Sequence, residues 1–128
     1  MLIQSPERNW ARIQASHPDH LAAGEAAIQS IYPDARNPFA HTSLLRDENL
    51  DAWTVPEVWV MAAPRPNHHI DVTDTFDRKL TALQAHESQT AHHDNLEGML
   101  RGWLMLNAER VGLEDGRLAE VFQVVGTA

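Results

Sequence analysis

A chain of 128 residues, 43% apolar and 22% charged, has the size and composition of one globular domain or a piece of one. With no cysteine, disulfides, thiolate metal sites and thiol nucleophiles are excluded. The formal charge is −8, Lys79 is the sole lysine and the arginines form no stripe, so nucleic-acid binding has little electrostatic support. No apolar run approaches the roughly 18 residues of a membrane helix, and MLIQSPERNW is not a secretory signal peptide. The expected location is cytoplasmic.

Residues 1–16 are mixed and polar, with Trp10 and Ile13 as expected anchors. A first helix is predicted from Ser16 or His17, with Pro18 at the first helical position, Asp19 in the first turn and Leu21, Ala27, Ile28 and Ile31 on its apolar side. Gly24 costs it some propensity, and Pro33 ends it. The stretch from Pro33 to Thr54, with Asn37, Pro38, Asp47 and Asn49, reads as a long irregular connection. Glu57 to Ala62 is a short β-branched and aromatic run between prolines, a largely buried strand. His68 to Thr73 alternates and reads as a second short strand. Thr73 or Asp74 caps a helix through Gln89 with Phe76, Leu80 and Leu83 at helical spacing. A further helix over 94–111 carries Leu96, Met99, Leu100, Trp103, Leu104 and Leu106 as an amphipathic core face, with Gly112 as its C-terminal cap. Leu118 to Val125 is a last strand. Three helices and two or three short strands give an apolar strand such as EVWVMA few neighbours, so the inventory describes part of an α/β domain, taken as one unit over 1–128.

The eight histidines are the unusual number. In the absence of cysteine, imidazole and carboxylate are the available metal ligands. His17-Pro18-Asp19-His20 is the strongest local pattern: histidines three apart at a helix start share one face, beside unpaired amides and a positive dipole end. A chance capping cluster is the competing reading. His68 and His69, adjacent on a strand, point to opposite faces. His92-His93-Asp94 fits a helix start, and His86 sits within a predicted helix.

The order HPDH-xx-AG, then YP, then EVWVM, then DVTDTFDRKLTAL-x-AHESQ resembles the zinc-dependent N-deacetylases of the PIG-L/LmbE-like superfamily, over about Ser5 to Val125. The HPDH motif together with the spacing of Asp71, Thr73 and Lys79 carries the resemblance. It implies a partial doubly wound, Rossmann-like α/β sheet with packed helices. It also implies hydrolysis of the N-acetyl amide of a GlcNAc-type conjugate by a water activated on Zn²⁺. By resemblance His20 completes the metal site, His17 contacts the substrate carbonyl or its oxyanion, and Asp19 orients the pair.

The family's early A-H-P-D-D motif, which supplies further zinc ligands and the general base, has no counterpart here; the only H-P-D is at 17–19. The resemblance thus describes a chain whose N-terminal half of the fold is missing. Its expected partners are an amino-sugar conjugate, and either a second copy or a complementary N-terminal half. The alternatives are an inactive remnant or interaction module without metal, and a stand-alone metal-binding protein using local histidines.

Overall fold

A computed structural model describes residues 1–128. Its regular elements are β1 (Leu2–Gln4), α1 (Pro18–Gln29), α2 (Thr42–Glu48), β2 (Glu57–Met61), β3 (His68–Asp71), α3 (Phe76–Gln84), α4 (Glu87–Thr90), α5 (Leu96–Arg110) and β4 (Ala119–Gly126). The strands form one sheet in the order β1-β2-β4-β3, a mixed α/β architecture as the sequence predicts. The chain divides into two compact units, 1–68 with 122–128 and 69–121, so β4 contributes to both.

In the first unit β1 runs parallel to β2, with Ile3 opposite Val60, and β2 runs antiparallel to β4, with Val60 opposite Gln123. Val58 and Val60 alternate with Glu57, Trp59 and Met61, so one face of β2 is buried and the other only partly covered. The buried face meets Ile3 and Ile31, with Ala27 and Ile28 of α1 packed against them. On the other face Trp59 lies 5.3 Å from Phe122 and meets His68 edge-on at 4.7 Å.

Helix α1 starts as expected, at Pro18 behind His17, and ends in a wide turn over Ser30–Asp34. Gly24 is buried beneath the end of β1: a Cβ there would stand 2.6 Å from the Gln4 carbonyl oxygen and 2.7 Å from the Pro6 nitrogen. The glycine that weakens the helix is what lets it approach the strand.

In the second unit Leu96, Leu100 and Leu104 lie on one face of α5, at the four-residue spacing of neighbouring helical turns. Phe76, Leu100, Leu104 and Leu118 form the core, with Leu80 and Leu83 of α3 against it. The Asn95 side chain accepts a hydrogen bond from the Gly98 N–H at the helix start, and Gly112 takes φ +79° just past its end. Buried Asn107 donates to the Ala119 carbonyl at 3.2 Å.

Several expectations are corrected. A strand, β1, lies within the first sixteen residues, where none was expected. Trp10 is 80% exposed and Ile13 47%; Ile3, Ser5 and Ser16 are the buried residues there. The connection 33–54 contains α2, none of whose residues is buried. The helix expected over 74–89 is interrupted: α3 stops at Gln84, and His86 precedes α4 rather than lying within a helix. Met99, Trp103 and Leu106 are exposed, so the core face of α5 is narrower than their spacing suggests.

Candidate active site

β1 and β2 are parallel, and the segments leaving their C-terminal ends lie together. In open α/β sheets this carboxyl edge is where ligands bind. The segment after β1 is the connection to α1, which delivers His17, Asp19 and His20. A short hydrogen-bond network shapes it. The Asn9 N–H donates to the Oγ of buried Ser16 at 2.8 Å, and the Asn9 Oδ1 accepts from the Arg12 N–H at 3.2 Å. The Asn9 amide reaches across at 3.4 Å to the carbonyl of Ala62, the first residue beyond β2. Arg65 holds Glu7 with both carboxylate oxygens at 2.8 and 3.0 Å. Ala62 itself has φ +57°, a left-handed conformation that costs a non-glycine residue about 1 kcal/mol or more. Asn9 and Ala62 carry no local signature, because their roles depend on contacts more than fifty residues apart.

Within HPDH, His17 Nδ1 and Asp19 Oδ1 make a close side-chain hydrogen bond, and the same oxygen accepts the His20 N–H at 2.8 Å. The His17 and His20 rings stand 5.9 Å apart at 60°, and His20 Nε2 lies 4.0 Å from Asp19 Oδ1. Asp19 therefore links the two histidines. Its carboxyl is held below the usual range chiefly by the His17 hydrogen bond; desolvation opposes this, and the His20 N–H and the charges of both imidazoles add to the lowering. With Nδ1 committed to Asp19, the His17 Nε2 is free to meet a substrate, as an acceptor when the ring is neutral and a donor when it is protonated. All three side chains are exposed. The three residues singled out from the sequence are thus brought together.

The other histidines with described contacts meet other partners. His41 faces Asp34 at 3.7 Å, His92 and His93 stack on one another at 4.2 Å, and His68 sits on Trp59. Asp71, Thr73 and Lys79 do not converge on one partner. Thr73 donates to Asp71 Oδ1 through both its N–H and its hydroxyl, while Lys79 pairs with Glu120. No three histidine or carboxylate side chains converge closely enough to hold a metal ion. A catalytic zinc takes three protein ligands, so the residues of this chain do not make up such a site by themselves.

The four-stranded mixed sheet with its packed helices matches a deacetylase-like fold fragment among solved structures. No protein-family model matches the chain. It is 32% identical over 73 residues to diacetylchitobiose deacetylase from Thermococcus kodakarensis, a stretch that is 57% of this chain and 27% of that protein. Among solved structures it matches N,N'-diacetylchitobiose deacetylase from Pyrococcus horikoshii, complexed with its inhibitor MPG. The TM-score is 0.75 and the identity 28%, over 98% of this chain and 45% of that one. The homologues are thus diacetylchitobiose deacetylases, of the LmbE/PIG-L deacetylase family, and this chain spans less than half their length.

Proposed function

We propose that residues 1–128 form part of a zinc-dependent N-deacetylase that removes an acetyl group from a GlcNAc-type conjugate. One observation carries the proposal: His17, Asp19 and His20 meet at the start of α1, at the carboxyl edge of a parallel strand pair, in a chain whose homologues are named as deacetylases of an acetylated amino sugar. Asp19 holds His17 by Nδ1, and the His17 Nε2 presents a proton to the oxygen of the amide as charge develops there. The N-terminal amides of α1 favour the same negative charge. His20 would offer its imidazole as one ligand of the metal, and residues 1–128 bring no complete ligand set together. A bound zinc would supply a water of lowered pKa.

The lack of any three-ligand cluster within the chain favours a second reading, a metal-free remnant or interaction module. Calorimetric zinc titration of the unaltered chain, His17→Ala and His20→Ala separates the two. The proposal expects weak zinc binding that His20→Ala abolishes and His17→Ala retains. Unchanged affinity in His20→Ala refutes the ligand assignment, and no binding by the unaltered chain supports the metal-free reading.

A further inference from the structure

A cavity of about 290 Å³ opens in the first unit, at the far end of α1 from His17, roughly 18 Å along a 12-residue helix. Ile28 and Ile31 form one wall and Val58, Val60 and Val125 another. Into this apolar lining comes Arg36. Its guanidinium lies 5.3 Å from the centre of the exposed Tyr32 ring, and its Nη2 donates to the Thr127 carbonyl. No carboxylate pairs with it, although Arg46, Arg65, Arg101 and Arg117 each hold one. Its Nε is buried with no acceptor at all.

A half-buried charge without a counter-ion and a buried donor without an acceptor are both costly. The missing counter-ion can be supplied by one kind of molecule. We infer that the cavity binds a small monocarboxylate with an apolar tail, its carboxylate on Arg36 and its tail between Ile28, Val58 and Val60. The carboxylate matches the planar guanidinium fork, and the volume suits a ligand at the small end of the range usual for such pockets. The Tyr32 ring, already stacked on the guanidinium, flanks the head group. This inference stands independently of the deacetylase reading, since it uses none of the HPDH residues.

Octanoate is the probe and 1-octanol its uncharged counterpart, each titrated into the intact chain by calorimetry. The expected result is saturable binding of one octanoate per chain, at least about tenfold tighter than octanol, because charge-assisted hydrogen bonds are worth more than a factor of ten. Arg36→Gln should remove that preference while leaving octanol binding unchanged. Ile28→Trp, which fills the cavity, should weaken both. Absence of saturation, equal affinity for the acid and the alcohol, or an undiminished preference in Arg36→Gln would overturn the inference. The acid–alcohol comparison in the unaltered chain decides the matter even where a variant fails to fold.

Discussion

Replacing Gly24 by alanine tests the contact that seats α1 against β1. In an open helix interior the change is favourable by about 1 kcal/mol, because glycine pays more backbone entropy than alanine. Here the added methyl carbon would lie 2.6 Å from the Gln4 carbonyl oxygen, 2.7 Å from the Pro6 nitrogen and 2.8 Å from the Ser5 carbonyl carbon. All three are backbone atoms of a strand end, so none can swing aside. To restore ordinary contact at 3.4 Å the helix must retreat by about 0.8 Å, which opens its packing of Ala27 and Ile28 on Ile3 and Val60. Overpacking of this kind costs about 1–3 kcal/mol, enough to outweigh the propensity gain. Gly102, in the middle of α5 with nothing within 4 Å of its virtual Cβ, is the matched control: Gly102→Ala should stabilise by up to about 1 kcal/mol. Urea unfolding followed by circular dichroism should therefore move the midpoint down for Gly24→Ala and up for Gly102→Ala. A Gly24→Ala chain as stable as the unaltered protein would refute the close approach.

Two further outcomes follow from the second unit. Asn107→Ala leaves the Ala119 carbonyl without its buried donor and should cost about 1–3 kcal/mol, read from the same unfolding curves. Asp71 accepts from the Thr73 hydroxyl at 2.6 Å and N–H at 3.0 Å, and faces Arg117 at 3.2 Å. These partners, the Thr73 hydroxyl foremost, hold its carboxyl below the ordinary value of 3.8. The folded form therefore favours the ionised group. Its contribution is full above the ordinary carboxylate pKa and fades as pH falls through it towards the lowered folded value. Asp71→Asn should flatten that acid limb of the stability–pH curve, and an unaltered limb would show that Asp71 is not its source.

What the sequence made legible were the elements whose pattern is local. Pro18 behind His17 marks the start of α1, alternation in EVWVM marks β2, and the leucines four apart mark the face of α5. The HPDH cluster was legible for the same reason, since Asp19 joins neighbours only two and one residues away. β1 was hidden because three residues before Ser5-Pro6 carry too little pattern, and its pairing partner lies almost sixty residues on. Trp10 misled because a large apolar residue in a loop stacks beneath Arg8 rather than entering the core. Met99 and Trp103 misled because only part of a helix face meets a neighbour. The Asn9–Ala62 and Arg36 contacts lie beyond any local pattern, each depending on which segments the sheet brings together.

The division of the chain bears on the order in which it is assembled during synthesis. The second unit is continuous, 69–121, and its cluster of Phe76, Leu100, Leu104 and Leu118 has been made once Leu118 emerges. The first is interrupted: β2 is complete at Met61, yet its partner residues Phe122 to Gly126 are made some sixty residues later. At translation rates of about 5–20 residues per second, the far edge of β2 waits several seconds for its strand. Over that interval Trp59 and Val60 belong to an open ribbon, and the loop that must finally close spans nearly half the chain, which by itself slows closure. Because β4 supplies the last strand of the first unit, the earlier-made unit is the later to be finished.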